Sequence, residues 1–155
     1  MFTKGYLTIP DLLTRESETL LIDTRGVEDF EPAIPGSKTI YILKLLDRVK
    51  EFEKRYDQVL RNRMLLLYCS NENGSKMVRD KFSRRYEVRY LKGGMVGYLE
   101  AVTRLLGEHP YENPQTREET QLKLLQALTN RKTPFKTFRN IATHLIRSNP
   151  GFLKS

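Results

Sequence analysis

Cysteine is almost absent from this sequence: Cys69 is the only one among 155 residues. That excludes an internal disulfide framework and any zinc site built on several cysteines. Histidine is nearly as scarce. His109 lies in a proline-flanked loop and His144 in an apolar helical pattern. Neither has ligand spacing to another candidate, so no metal site is expected. Long apolar runs are also missing, and none approaches the ~20 residues needed to span a bilayer. The opening MFTKGYLTIPDLL shows neither an apolar leader core nor a cleavage signal. These absences predict a cytoplasmic protein without membrane contact, in which Cys69 stays a free thiol.

Hydrophobic residues make up 39% and charged residues 30%, a globular balance that excludes global disorder. The length suits one domain with room for an appendage. Lys and Arg number 27 against 19 Asp and Glu, for a formal charge of +8. Such a charge permits an acidic partner, nucleic acid included. The basic residues are dispersed rather than blocked, however, which reads as a solvated surface.

Short apolar runs set the frame. Met64–Tyr68 reads MLLLY, a strand buried on both faces. Cys69 follows it directly, then Ser70, Asn71, Glu72, Asn73, Gly74 and Ser75, all turn or cap residues. Met77, Val78 and Phe82 next mark a helix over 76–85. A loop between a parallel strand and a helix is where ligand crevices form in open α/β sheets. Backbone N–H groups there favour an anion, and would favour a thiolate at Cys69. A lone cysteine at a strand end also suits a small buried hydrophobe.

The remaining pattern repeats the theme. Thr19–Thr24, TLLIDT, predicts a strand that ends on Asp23 and Arg25. Val27–Phe30 gives at most a helical turn. SKTIYI predicts a strand centred on Ile40 and Ile42. Leu45, Leu46, Val49, Phe52, Tyr56, Val59 and Leu60 recur at helical spacing, which predicts one long helix over 43–60. EVRYL supplies another strand, and Met95 to Leu106 another helix, which Gly107 can end. Alternating strands and helices predict a parallel β-sheet flanked by helices, over residues 5–107. Beyond it, Thr116-Arg117-Glu118-Glu119 fits a capping box with Thr116 as N-cap. Leu122, Leu125 and Leu128 then mark one helix, and Phe135 to Ile146 a second. Residues 115–155 are expected to form a helical hairpin packed on the domain.

Three of these segments together resemble one family. LLIDTRGVEDFEPAIPGS resembles the first signature of rhodanese-like domains, LLLYCSNENGS their active-site strand and loop, and YLKGGMVGYLEA their closing signature. The order and spacing agree. The resemblance implies a rhodanese-like α/β fold and a sulfurtransferase, or sulfur carrier, without metal or organic cofactor. It implies that Cys69 is the nucleophile and persulfide carrier, and that Ser70 to Gly74 present backbone N–H groups to the sulfur. Ser75 would sit where the loop enters the helix, and Asp23 and Arg25 would form a supporting ion pair. The implied partners are a small sulfane-sulfur donor and a thiol or protein acceptor.

Two departures bear on chemistry. Pro32 and Ala33 precede Ile34 where the family commonly has Gly-His. Glu72 replaces a usual glycine, and Ser70 and Asn71 replace basic residues that some thiosulfate-using members carry. A Glu72 carboxylate aimed at the sulfur would oppose both a thiolate and a dianionic donor. Two other functions remain open: a rhodanese-shaped module that binds protein or RNA, and a phosphatase. The phosphatase reading wants an arginine where Ser75 stands.

Overall fold

The computed structural model describes residues 5–28 and 30–154. Asp29, inside the turn expected at Val27–Phe30, and Ser155, the end of the expected extension, lie outside them. Five parallel strands form one sheet in the order β1-β5-β4-β2-β3. They are β1 (Tyr6–Leu7), β2 (Leu20–Asp23), β3 (Lys38–Thr39), β4 (Leu65–Tyr68) and β5 (Val88–Leu91). The run at Met64–Tyr68 is thus the central strand, and its four strand residues are all buried. A strand sandwiched by helices on both faces has no use for polar alternation, so the sequence shows a continuous apolar run.

The strand period divides the core. Leu65 and Leu67 face one side with Ile22 and Val88. Leu66 and Tyr68 face the other with Leu21 and Leu91. The first side is covered by α2 (Ile42–Leu46), α3 (Val49–Arg55), α4 (Asp57–Asn62) and α5 (Asn73–Arg79). The second is covered by α1 (Ile9–Thr14), α6 (Gly94–Glu108), α7 (Arg117–Thr129) and α8 (Phe135–Arg147). Pro10 sits in the first turn of α1, where Thr8 caps the Asp11 N–H at 3.2 Å.

Four local expectations need correction. The single helix over 43–60 is three helices, because Arg48 and Tyr56 leave helical geometry. No glycine or proline lies between Gly36 and Gly74 to cause this. The breaks instead let Leu45, Val49 and Leu60 all reach one small sheet face, so packing overrides propensity. The strand around Ile40 and Ile42 shrinks to β3, since Ile42 already begins α2. The helix at 76–85 starts earlier, at Asn73, and ends at Arg79. Thr116 precedes α7 but makes no side-chain cap; its hydroxyl donates to the Asn113 carbonyl at 3.2 Å. A short 3-10 turn at Pro114–Thr116, capped by Asn113, fills that role.

Helices α7 and α8 share the second core with the sheet. Leu128, Phe138, Ala142 and Leu145 are buried there beside Tyr98 and Leu105 of α6. The buried Tyr98 hydroxyl donates to the Leu128 carbonyl at 2.6 Å, tying α6 to the end of α7. Among the described residues no helix is long and apolar enough to cross a membrane. Leu145 and Leu66 are equally inaccessible, both at 0% exposure, so truncating either to alanine should cost about 2–5 kcal/mol. Urea unfolding of Leu145→Ala should show one transition shifted like that of Leu66→Ala. An early separate transition would show instead that α7 and α8 melt as an independent unit.

Candidate active site

The site lies where β4 and β2 end side by side, with Asp23 paired to Tyr68 in register. Cys69 leaves β4 at the carboxyl edge of the sheet and is partly exposed. The loop after it is strapped to the turn that opens α6. The Met95 N–H donates to the Cys69 carbonyl at 2.8 Å, and the Val96 N–H to the Ser70 carbonyl at 3.1 Å. This contact needs a glycine. A Cβ on Gly94 would stand 2.4 Å from the Asn71 oxygen, and the residue has φ of +59°.

The sulfur has three polar neighbours. The Cys69 S–H donates to the Asn71 carbonyl, with S···O at 2.7 Å. The Ser75 N–H donates to Sγ at 3.3 Å. Ser75 Oγ lies 3.4 Å away, its own proton available to the Glu72 carbonyl at 3.2 Å. The backbone N–H bonded to the thiol sulfur is that of Ser75, one residue beyond the Ser70–Gly74 stretch. The Asn73 N–H is taken by Asn71 Oδ1 at 2.9 Å, and the Lys76 N–H by the Glu72 carbonyl at 3.0 Å. Gly74 serves by size: a Cβ there would meet Ile42 Cδ1 at 2.8 Å and Sγ at 3.6 Å.

Glu72 is turned to a structural task. Its Oε2 accepts the Gly93 N–H at 2.9 Å, adding a second strap between loop and α6 turn. The carboxylate expected to oppose a donor at the sulfur is thus partly spent on an amide across the loop.

Beneath this loop lies a buried charge cluster. Asp23 is fully buried and takes two bonds from the Arg25 guanidinium, at 2.9 and 2.8 Å, and one from the Arg25 N–H at 3.0 Å. Arg25 also donates to the Pro32 carbonyl at 2.8 Å and lies over the Tyr68 ring. Its donors therefore hold loops together. The second cation was not foreseen. Arg131, in the turn between α7 and α8, donates to Asp23 Oδ2 at 3.0 Å. It also reaches the Ser37 Oγ at 3.0 Å, and Ser37 Oγ pairs with the Tyr68 hydroxyl at 2.7 Å. Burial pushes Asp23 up, but the bonds from Arg25 and Arg131 outweigh it and hold the carboxyl below its usual range. Burial pushes the Tyr68 hydroxyl up to about 12. No local signal marks Arg131, because its partner is 108 residues away.

The two histidines, unrelated by spacing, also meet: their ring centroids are 4.9 Å apart where α6 ends beside α8. Burial, with His144 beside it, holds His109 below its usual value.

Residues 10–101, more than half of the chain, match the rhodanese-like domain family, and the protein belongs to that family. The match spans Asp23, Arg25 and the whole Cys69 loop; α7, α8 and Arg131 lie beyond it. Several solved structures are similar in fold. A protein of Bacillus halodurans is 21% identical, with 62% of this chain and 72% of that one covered and a TM-score of 0.48. A protein of Staphylococcus saprophyticus subsp. saprophyticus is 16% identical, covering 61% and 92%, with a TM-score of 0.48. A rhodanese-like domain protein of Staphylococcus aureus is 18% identical, covering 61% and 90%, with a TM-score of 0.46. No curated protein matches the sequence.

Asp23 gives the site a pH signature. Its lowered pKa contributes stability that is complete above about pH 4 and lost as the pH falls through the folded value. Arg131→Met removes one cation and should cost about 1.5–3 kcal/mol at pH 7, the range for a charged hydrogen bond. Because part of that cost is the loss of the carboxylate's advantage, it should shrink as Asp23 protonates below about pH 4. Denaturant titrations at pH 7 and pH 3 check this. An equal cost at both pH values would remove Asp23 from the account.

Proposed function

We propose that the protein is a sulfurtransferase or sulfur carrier that holds sulfane sulfur as a persulfide on Cys69. The observation that carries the reading is the accessible Cys69 thiol at the end of the central strand, with both polar groups of Ser75 beside it. Family membership supports the same class of chemistry.

The thiol must first lose its proton to solvent. Asn71 O, which accepts that proton at 2.7 Å, would then face a thiolate with its lone pairs. Ser75 answers this. Its N–H already points at the sulfur, and its hydroxyl can turn from the Glu72 carbonyl to donate as well. The thiolate attacks the outer sulfur of a donor, such as thiosulfate or another persulfide. A new S–S bond forms on Cys69 and the donor's own bond breaks, its electron pair leaving as sulfite or a thiolate. A nucleophilic acceptor thiolate then attacks the outer sulfur and restores Cys69. Electrons balance at each step without a redox partner.

A second reading, a rhodanese-shaped binding module of low activity, is favoured by the bond that the reduced thiol already makes to the Asn71 carbonyl. A phosphatase gains nothing: the position for an oxyanion-gripping arginine holds Ser75, fully buried and bonded to its own loop.

Incubation with thiosulfate or a low-molecular-weight persulfide should add one sulfur to the protein mass. Cys69→Ser should remove the gain entirely. Ser75→Ala should slow sulfur loading by about one to two decades, since a charge-assisted bond contributes roughly 1.5–3 kcal/mol and a decade in rate is about 1.4. An unchanged mass with every donor would end the enzyme reading and leave the binding module.

A further inference from the structure

We propose that the concave face between α2 and α3 is a binding site for a planar aromatic phosphate monoester of mononucleotide size. A cavity of about 430 Å³ opens there, at the end of β3. That volume falls within the range of about 300–1,000 Å³ common for small-molecule sites. No residue of the 69–75 loop lines it.

Its lining combines rings and positive charge. Tyr41, Phe52 and Tyr56 supply aromatic faces, and Lys44, Arg48 and Arg55 supply three cations against one carboxylate, Glu51. The local balance is therefore +2, which matches a phosphate monoester dianion better than a monoanion. These cations are not committed elsewhere by charge: among the described residues none of the three makes an ion pair. Arg55 lies 5.5 Å from the Tyr56 ring centroid, and Phe52 and Tyr56 centroids are 4.7 Å apart, so the rings and the charge occupy one wall. Tyr41 is 48% exposed and Tyr56 37%, a costly placement for two rings that a stacked base would cover.

The backbone shapes the cavity. The chain breaks at Arg48, with φ of −129° and ψ of 23°. That break turns α2 against α3 and opens the cavity between them.

One element connects this cavity to the thiol. Lys44 and Leu45 of α2 line it, while Ile42 of the same helix packs on Gly74 in the Cys69 loop. Tyr41, just before α2, lies against Gly26, next to Arg25.

Isothermal titration with AMP, adenosine and inorganic phosphate tests the proposal on the full chain. AMP should bind saturably, with adenosine and phosphate each at least about tenfold weaker, since each lacks one half of the contacts. Arg48→Met and Arg55→Met should each weaken AMP about tenfold, the equivalent of one charged hydrogen bond. Both side chains are exposed, so the variants should melt like wild type. Cys69→Ser should bind AMP as wild type does, which separates this site from the sulfur chemistry. Absence of saturable AMP binding, phosphate binding as tightly as AMP, or full affinity in both arginine variants would overturn it.

Discussion

The buried carboxylate of Asp23 is the constraint from which the active-site end of the molecule is built. A charge with no solvent contact is tolerable only when it is paired and bonded on all sides. Asp23 obtains this from two guanidinium groups that arrive from different parts of the chain. Arg25 comes from the next loop and fixes Pro32 with the same nitrogen that binds Asp23. Arg131 comes from beyond residues 10–101, which match the family, and fixes Ser37. The segment between β2 and β3 is thus held from both ends. The turn before α8 completes the grip, with Ala33 and Gly36 donating to the carbonyls of Thr129 and Arg131 at 2.8 and 2.9 Å. The C-terminal helices are therefore more than a cover on the sheet: they supply part of the charge balance under the Cys69 strand.

Much of the sheet and of the thiol loop could be read from the chain. Continuous apolar runs at Leu20–Ile22 and Leu65–Tyr68 mark buried parallel strands, because both faces need the same chemistry there. Cys69 follows from its place at the strand end, and Asp23 with Arg25 from their place at the neighbouring end. What could not be read is what depends on distance through the fold. Arg131 stands in an ordinary polar turn, and its partner is fixed only when α7 and α8 dock. The three-way division of residues 42–62 is equally silent, since its periodicity suits a straight helix. β1 is a two-residue strand, too short to carry a period. The direction of the Asn71 carbonyl is a backbone choice that side-chain identity does not encode.

That carbonyl decides what the loop is suited to hold. Against the reduced thiol it is an acceptor, and the S–H is satisfied. Against a thiolate it would be a lone pair facing a charge, with the N–H and hydroxyl of Ser75 as the donors beside the sulfur. In a persulfide the balance changes again. The inner sulfur is then neutral and divalent, and the charge sits on the outer sulfur, about 2 Å farther out. Gly94 and the strap from Glu72 to Gly93 limit how far the Asn71 peptide can turn away, because the Asn71 oxygen fills the space a Cβ would need. On the proposed function, the Asn71 peptide therefore keeps its place as sulfur is loaded, and Ser75 is the residue that can adjust. Ser75 then carries the kinetic burden, since its hydroxyl supplies the second donor at the moment the proton leaves.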